Sequence, residues 1–455
     1  MKINLIRNTV LFILSLSLSS SAIAKNIYVS VNGNDKNSGE SEKSALESLQ
    51  KAADIAKPGD VVLIGGGSYS NSNTQDNGAV LSVTTSGTPD AWIIFKALPD
   101  CKPTINPIGW AGIQISASYI KVEGISIIGQ NDGLTLLDAL ADAKNSIPNP
   151  KYNTNGIIVE GRRVKEKPHH VIISNCEIGK CPGGGITILE ADYVTVEDCE
   201  VYNNAWYMRY AGSGITTLNN WAFDDAPGYH IVIQRNYVWN NKTLVPWERT
   251  GKLSDGNGIL LDVTDQKRGG ATNPNADAVI EEIKSVIEPA KIKVSLRPEW
   301  KGRALIANNI SAYNGGSGIH TFRTKHVDII NNTTYWNGQT VGYQELFPNN
   351  CEDITILNNI IVPRPNGKVT SDSKNTNIKW DYNVYPNKQE VFSGENDLMI
   401  NPEFVKVDND LRKADFRLKK GSKIINSGTN DIPVKTDLLN KKRSESKPDR
   451  GAFEQ

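Results

Sequence analysis

The stretch that decides the fold is residues 255–262, Asp-Gly-Asn-Gly-Ile-Leu-Leu-Asp. Its centre is a small or amide residue followed by Gly, Ile and alternating side chains, and the same phrase recurs along the chain. One strand-sized phrase per repeat is typical of a solenoid, in which each coil packs on its neighbours. The phrases begin at Asn155, Gly184, Ser213, Asn257 and Ser317.

A column of residues follows the apolar alternations of the same repeats, with a shortest spacing of 23 residues. Asn is a poor strand residue, so its recurrence there predicts a ladder of side-chain amides that bond one another and the backbone of a turn. The two Cys at its head are expected to stack as small apolar residues, with a disulfide as the alternative. The column consists of Cys176, Cys199, Asn236, Asn309, Asn332 and Asn359.

The repeats predict one elongated domain over residues 25–455. A strand, a helix at 45–56 and a return strand predict an N-terminal cap at 25–70, which covers the open end of the solenoid. We expect the coils at 71–364 and a C-terminal cap, folded over the last coil, at 365–455.

Two excursions interrupt the coils, at 134–152 and at 265–303, and the second has a helix-like centre at 276–293. Loops presented by a rigid scaffold commonly carry binding and catalytic residues. We therefore expect the excursions to wall a groove on one face of the solenoid.

Residues 1–24 combine two basic residues, an apolar middle rich in Ser and Leu, and the small-residue sequence Ala22-Ile23-Ala24. This pattern predicts a signal peptide cleaved after Ala24, and hence a secreted or periplasmic protein without a membrane span. A short membrane anchor is the alternative. The five Cys are an odd number and do not suggest a disulfide framework.

The charges balance, with 50 Lys plus Arg and 50 Asp plus Glu. No basic footprint for nucleic acid or for an anionic membrane surface is therefore present in the composition. An acidic polysaccharide would have to be met by a local basic cluster, and we expect the protein to be a monomer.

The cap, the asparagine column and the Asp-Gly-Asn-Gly phrase resemble the right-handed parallel β-helix proteins of bacteria, and distantly the family 9 polysaccharide lyases, which are pectate lyase-like. The resemblance implies an all-β right-handed parallel β-helix. In that family calcium on an Asp cluster neutralises a uronate carboxylate, and a Lys two places after the Gly removes a proton from C5. Here that place is Leu260, and the preceding coil has Gly212, Ser213 and Thr216 instead of acidic residues. The family mechanism therefore does not transfer as it stands.

The coils also carry candidate catalytic residues of their own. Side chains alternate along a strand, so Asp262 and His320 are predicted to face outward on adjacent coils, diagonal to each other and about 5 to 8 Å apart. Arg323 lies just beyond. Asp255 is a further carboxylate, although a tight turn explains its phrase equally well. A solvated charged face is the alternative for His320 and Arg323.

Aromatic and basic residues near these coils suggest a carbohydrate groove, because aromatic faces stack on sugars and Arg meets carboxylates. Closure of hydrophobic loop clusters is the alternative. Three Asp side chains could supply oxygen ligands to calcium, although they lack a fixed ligand spacing. The binding candidates are Trp206, Tyr207, Arg209, Trp221, Trp247 and Arg249, and the calcium candidates are Asp224, Asp225 and Asp255.

Three functions remain open. The resemblance favours β-elimination on a uronate polysaccharide, with His320 or Lys252 as the base and Lys252, Arg249 or Arg323 at the carboxylate. The first alternative is an inverting glycoside hydrolase in which Asp255 and Asp262 flank the bond, about 6.5 to 9.5 Å apart. The second alternative is a non-catalytic, adhesin-like solenoid that binds glycans.

Overall fold

The structure is a computed structural model, and it describes residues 24–71, 78–265 and 297–455. The signal segment, up to residue 23, and the predicted helix at 276–293 lie outside the described residues. None of the helices within the described residues is both long and apolar enough to cross a lipid bilayer.

Three parallel sheets run along the chain and enclose one interior. Each coil visits the three sheets in turn, so a strand pairs in register with the strands three places earlier and three places later in the sequence. Parallel pairing of this kind stacks equivalent residues of successive coils about 4.8 Å apart. The predicted all-β parallel solenoid is therefore confirmed.

Sheet 1 contains β1 (Asn26–Val29), β2 (Val61–Ile64), β5 (Ile93–Ala97), β8 (Ile120–Glu123), β11 (His169–Ser174), β14 (Asp192–Glu197), β17 (Tyr229–Gln234), β20 (Arg303–Ala307), β23 (Lys325–Ile330), β26 (Glu352–Leu357) and β28 (Thr376–Asp381). Sheet 2 contains β3 (Gly67–Ser70), β6 (Pro103–Asn106), β9 (Ser126–Ile128), β12 (Glu177–Gly179), β15 (Glu200–Tyr202), β18 (Tyr237–Trp239), β21 (Ile310–Ala312), β24 (Thr333–Tyr335), β27 (Ile360–Val362), β29 (Val384–Tyr385) and β30 (Leu398–Met399). Sheet 3 contains β4 (Ala79–Val83), β7 (Ala111–Ile115), β10 (Asn155–Glu160), β13 (Ile186–Leu189), β16 (Ile215–Leu218), β19 (Ile259–Asp262), β22 (Ile319–Phe322) and β25 (Leu346–Asn349). Outside these sheets lie the helices α1 (Leu49–Ile55) and α2 (Leu136–Asp142) and the antiparallel pair β31 (Phe404–Lys406) and β32 (Asp415–Leu418).

Branched aliphatic side chains fill the interior of the coils. Val194 of β14 lies in register with Ile231 of β17, and both are fully buried. Stiff β-branched side chains suit such stacked strands because they pack well on a pleated surface. Gly precedes the first inward Ile of sheet 3 because a side chain has no room there: a Cβ on Gly214 would lie 2.7 Å from the carbonyl oxygen of Gly258 in the next coil.

The predicted asparagine ladder is confirmed at the corner between sheet 1 and sheet 2. The Nδ2 of Asn309 donates to Oδ1 of Asn332 and to the carbonyl oxygen of Ile233, both at 2.9 Å, while its Oδ1 accepts from the backbone N–H of Asn236 at 3.0 Å. Each amide thus satisfies buried backbone groups of neighbouring coils. The amide-to-amide ladder runs through Asn236, Asn309, Asn332, Asn359 and Asn383.

Cys176 and Cys199 continue this column as buried free thiols, as predicted, and the disulfide alternative is wrong. The backbone N–H of Cys199 donates to Oδ1 of Asn236 at 3.0 Å, so the ladder ends on the second Cys. Burial raises the pKa of the Cys199 thiol well above its ordinary range.

A second ladder, which our sequence analysis missed, lies at the corner between sheet 2 and sheet 3. It runs through Asn204, Asn241, Asn314 and Asn337, each five residues after a member of the first column. The last amide donates to Oε2 of Glu345 at 2.7 Å, and burial raises the pKa of this carboxyl to about 8.

The N-terminal segment closes one end of the solenoid. Ser48 caps α1 by accepting from the backbone N–H of Lys51. The side chain of Gln50 then pairs with both backbone groups of Ser82 in β4, at 2.8 and 3.1 Å. The helix thereby covers the unpaired edge of the first strand of sheet 3. Its observed bounds are narrower than the predicted 45–56.

The C-terminal part differs from the prediction. Strands β28, β29 and β30 continue the sheets to Met399, so the coils extend past residue 364. The tail beyond them lies along the flank of the later coils, and through Arg450 it also reaches Asn383 and Asn396 near the last strands. The Nδ2 of Asn308 donates to the carbonyl oxygen of Thr436, and that of Asn358 to Thr429, both at 2.8 Å. Strands β31 and β32 pack their apolar side chains on the outer face of sheet 2.

Replacement of Asn309 by Ala tests the first ladder. We expect the free energy of unfolding to fall by about 3 kcal/mol, because the change leaves several buried backbone groups unpaired. Denaturant unfolding followed by circular dichroism measures this. The control is Asn175→Gly at an exposed corner residue with a φ of 53°, where we expect less than about 0.5 kcal/mol. Equal losses in the two variants would contradict the role of the ladder.

Candidate active site

The outer face of sheet 3 brings two of the predicted catalytic residues together. In register, Leu260 lies opposite His320, and Asp262 lies opposite Phe322. On the preceding coil Thr216 lies opposite Leu260. Asp262 and His320 are therefore diagonal neighbours on adjacent coils, the arrangement that the alternation of side chains predicts.

His320 faces outward from sheet 3 as predicted, but it is not exposed, so the alternative of a solvated charged face is wrong for this residue. Only 6% of the residue is accessible. Its ring stacks on Phe347, with centroids 4.7 Å apart and an angle of 13°, and Tyr343 and Phe322 lie within 6.0 Å. Neither ring nitrogen has a hydrogen-bond partner among the described residues. Burial lowers the pKa of His320 to about 3, so the ring is neutral at physiological pH.

Asp262 is the last residue of β19, and it is partly accessible. Its Oδ1 is buried and has no hydrogen-bond partner within the described part of the chain. Burial raises the pKa of this carboxyl to about 8, and the charge of Asp255 adds to the rise, while Arg323 and Arg297 oppose it. Asp262 is therefore largely protonated at neutral pH.

Asp255 lies on the turn that precedes β19 and has a φ of 61°. The Nδ2 of Asn257 donates to its Oδ1 at 3.3 Å, and Asn257 is itself fixed by Ser213 and by the backbone N–H of Ser317. Burial raises the pKa of Asp255 to about 7. The Asp-Gly-Asn-Gly phrase therefore forms a hydrogen-bonded turn, and this turn carries a second carboxyl group with a raised pKa.

The two carboxyl groups flank one strand, and the charge of one raises the pKa of the other. Burial is the main cause of both shifts, and it raises the pKa of Asp255 to about 7 and that of Asp262 to about 8. Around neutral pH the pair can hold one proton, which is the condition for one carboxyl to act as an acid while its neighbour acts as a base or nucleophile.

Two arginines lie near Asp262. Arg323, which the sequence predicted, places its guanidinium 4.6 Å from the centroid of the Phe322 ring. Arg297, which we had not predicted, donates Nη1 to the carbonyl oxygens of Val263 and Asn220 at 2.7 and 3.2 Å. Arg297 lies at the end of the second excursion, where no periodic pattern in the sequence indicates which residues approach Asp262.

Tyr343 is a further residue that the sequence analysis missed. Its ring lies 5.6 Å from that of His320, and burial together with the charge of Asp255 raises its pKa. It therefore lies near both the imidazole of His320 and the carboxyl of Asp255. Tyr343 precedes β25 in an irregular loop, so the strand alternation gave no signal for it.

Three of the predicted residues lie on an exposed hairpin. Trp247 donates its backbone N–H to the carbonyl oxygen of Lys252 at 2.9 Å, and Arg249 lies at the tip. Arg249 and Lys252 are exposed. Among the contacts that the structure gives, none joins Lys252 to Asp255, Asp262 or His320.

The structure places three of the predicted sugar-binding residues in contacts that hold the excursions together. These residues are Trp206, Tyr207 and Arg209. Tyr207 is buried with Leu134 and Val245 in a separate apolar cluster, on which Trp206 packs. The guanidinium of Arg209 donates to the carbonyl oxygens of Ala143 and Asn145, both at 2.9 Å, and pairs with Glu248. The loop-cluster alternative is the correct one here.

The three predicted calcium ligands do not meet. Asp224 accepts from Tyr193 and Asp225 pairs with Lys301, each at 2.7 Å, where the chain enters sheet 1. Asp255 lies in the turn before β19, where the side chain of Asn257 donates to it. No group of acidic, His or Cys side chains suited to a metal ion is found among the described residues. Trp221 follows β16 and lies under the Lys167 ammonium, 4.5 Å from its ring.

Comparison with known proteins supports the fold. Residues 27–224 match the family model described as the Pel9A-like, right-handed β-helix region. The crystal structure of pectate lyase Pel9A superposes with a TM-score of 0.54 at 17% identity, covering 95% of this chain and 96% of that chain. The resemblance to the family 9 lyases is confirmed as a likeness of fold. The right-handed β-helix is confirmed with it.

Other solved structures are similar at lower TM-scores. A GH136 lacto-N-biosidase from Eubacterium ramulus gives 0.45 at 14% identity, over 79% of this chain and 56% of that chain. A rhamnogalacturonan lyase gives 0.41 at 14% identity, over 80% and 73%. No curated protein matches the chain in sequence.

The match to the family model ends before the Asp-Gly-Asn-Gly phrase. Leu260 stands where the resemblance implies a lysine base, and it is almost fully buried between Thr216 and His320. Thr216 and Ser213 stand where the resemblance implies acidic residues for calcium. Asp255, Asp262 and their neighbours are the titratable groups that the structure places at this face.

The raised pKa of Asp262 predicts a stability effect with a definite sign. Between pH 4 and 8 the folded protein holds a proton that the unfolded chain, with an ordinary Asp pKa near 4, has released, so stability is lost as pH rises through this window. The Asp262→Asn variant has no ionisable group at this position, so this loss of stability with rising pH should be absent from it. We expect the variant to exceed the wild type by about 2 kcal/mol in free energy of unfolding at pH 8.5 and by much less at pH 4.5.

Denaturant unfolding at the two pH values measures the difference. Asp90→Asn is the matched control, since Asp90 is exposed, and it should change stability by less than about 0.5 kcal/mol at either pH. A wild type that is as stable as Asp262→Asn at pH 8.5 would contradict the buried, protonated carboxyl.

Proposed function

We propose that this protein hydrolyses glycosidic bonds of a polysaccharide on the outer face of sheet 3. The observation that carries the proposal is the pair Asp255 and Asp262, two carboxyl groups that flank β19 and whose pKa values burial raises to about 7 and about 8. Glycosidases of most families use two carboxyl groups, one of them protonated, on either side of the scissile bond.

Asp262 is the general acid in this proposal. Its carboxyl has the higher pKa, and its Oδ1 lacks a hydrogen-bond partner among the described residues, so it can donate its proton to the leaving-group oxygen. Asp255 is the base that activates water if the enzyme inverts the anomeric configuration. It is the nucleophile if the two carboxyl groups are close enough for retention. The anomer formed first by the reaction distinguishes these two roles.

Tyr343 and Phe322 would meet the sugar, because both rings are partly accessible at this face. They provide an aromatic surface for the non-polar face of a pyranose ring. His320 packs against both rings, and its two buried nitrogens have no hydrogen-bond partner within the described residues.

β-Elimination on a uronate polysaccharide is the second candidate. The observation that favours it is a neutral His320 on β22, the strand that Arg323 directly follows, and these two could serve as base and carboxylate partner. Three features weigh against it. The place of the family base is Leu260, Lys252 lies on an exposed hairpin, and no cationic side chain contributes to the pKa of Asp255. We give calcium no step, because Asp224, Asp225 and Asp255 do not converge.

We also propose that residues 1–24 are removed and that the mature chain is secreted or periplasmic, because an enzyme that acts on an external polysaccharide has to leave the cytoplasm. A glycan-binding solenoid without activity is the third candidate, and it would be favoured if the unaltered protein released no product from any polysaccharide of the panel.

The first experiment mixes the purified protein with a panel of neutral and uronate polysaccharides. We expect new reducing ends without the ultraviolet absorbance of an unsaturated uronate. Asp262→Asn and Asp255→Asn should each lower kcat by about 10³-fold, while the matched control Asp90→Asn should keep it. Absorbance that rises with the reducing ends and vanishes in His320→Ala would establish elimination instead.

The second experiment measures kcat/KM against pH. One carboxyl must be ionised and the other protonated, so we expect a maximum between pH 7 and 8, set by the apparent pKa values of the pair. With an activated aryl glycoside, Asp262→Asn should lose the alkaline limb, because the leaving group then needs no proton. An optimum near pH 4 to 5 would show that both carboxyls titrate at ordinary values.

A further inference from the structure

We infer that the protein has a second carbohydrate-binding site, a cleft at the corner between sheet 2 and sheet 3 in its C-terminal coils. The cleft has a volume of about 430 Å³, which lies in the usual range for small-ligand sites. Its wall combines one aromatic side chain, one guanidinium, three amides and three prolines. The inference does not depend on the reaction proposed for Asp255 and Asp262.

Trp336 provides the aromatic wall. It is one of the few large apolar residues that stay exposed, with 38% of its surface accessible. One side of the indole stacks on Tyr335, with centroids 5.2 Å apart and an angle of 13°. The exposed surface of the indole lines the cleft. A rigid aromatic face that is supported from behind is suited to stacking on the apolar face of a pyranose.

The backbone of Trp336 supports a functional reading. Its φ of 52° is left-handed, a conformation that Asn tolerates and that bulky residues seldom adopt. Earlier coils place Asn203 and Asn240 at the equivalent position, with φ of 56° and 54°. Tyr313 occupies it in the coil between, but there the ring is buried against the tail. Since Asn suits the same conformation at this corner, the local backbone does not require a partly exposed Trp there.

Arg364 supplies the polar wall. Its Nε donates to the carbonyl oxygen of Gly338 at 2.8 Å, which orients the guanidinium. No carboxylate of the described residues forms an ion pair with it. Arg364 can therefore donate to ligand oxygens. The remaining polar lining consists of Asn366, Asn387 and Asn401, and the prolines that stiffen the loops are Pro363, Pro365 and Pro386.

The ligand is a sugar ring with an apolar face for the indole and hydroxyl or carboxylate oxygens for the guanidinium and the amides. Neutral hexoses and uronates share this chemistry. The loop that brings Tyr343 to His320 also carries Gly338, the partner of Arg364, so the cleft adjoins the loop that walls the candidate active site. A polysaccharide held in the cleft would stay attached to the enzyme between cleavages.

Affinity gel electrophoresis in the Asp262→Asn background tests the site without turnover of the ligand. Gels contain a neutral polysaccharide, a uronate polysaccharide or no polysaccharide. We expect at least one polysaccharide to retard the protein, and Trp336→Asn to weaken this binding by roughly tenfold or more. The neutral and uronate arms identify which sugar class supplies the shared chemistry.

Trp336→Asn restores the residue type of the earlier coils, so its melting temperature should be no lower than that of the parent. Arg364→Gln should weaken binding as well. Phe223→Ala, at a 49% exposed aromatic residue away from the cleft, is the matched control and should bind like the parent. Retardation that is unchanged in both cleft variants, or absent in both polysaccharides, would overturn the inference.

Discussion

Every coil of this protein has to turn from sheet 1 to sheet 2 while the backbone groups of that corner stay buried, and the asparagine ladder makes this possible. A buried backbone N–H or C=O without a partner costs about 1 to 3 kcal/mol. Asn309 satisfies groups of the coils on either side and is satisfied by them. Because each amide is both donor and acceptor, the ladder fixes the stacking of one coil on the next, and with it the register of all three sheets.

That register creates the candidate active site. Parallel stacking places Leu260 beside His320 and Asp262 diagonal to His320, on a face that the core does not use. The turn that opens the same strand holds Asp255 through Asn257, whose own contacts reach two further coils. Tyr343, in the loop before β25, packs on His320 at this face. Burial raises the pKa values of both carboxyl groups, so the surroundings of this face determine which protonation states are available there.

The sequence predicts the fold well because the fold is periodic. Residues that recur at one place in successive coils, such as Asn332 or the Gly before each Ile, indicate where the chain turns and which side chains face the interior. The Asn residues of the second ladder recur in the same way, five residues later, but we did not predict them. Contacts between distant loops carry no such period: Tyr207 could be read as a sugar platform until its burial was known, and the C-terminal tail gave no sign that it packs along Asn308 and Asn358. Burial of His320 depends on Tyr343 and Phe347 and was unpredictable for the same reason.

The most direct test of the account is the titration of the Asp262 carboxyl, because the proposed reaction depends on its proton. Carbon-13 NMR of protein labelled at aspartate carboxyl groups, with Asp262→Asn to assign the resonance, gives this pKa without any substrate. The account predicts a midpoint near 8 that falls in Asp255→Asn, since the charge of Asp255 contributes to the rise. A midpoint near 4, the ordinary value for Asp, would contradict a buried acid at this site and with it the proposed hydrolysis.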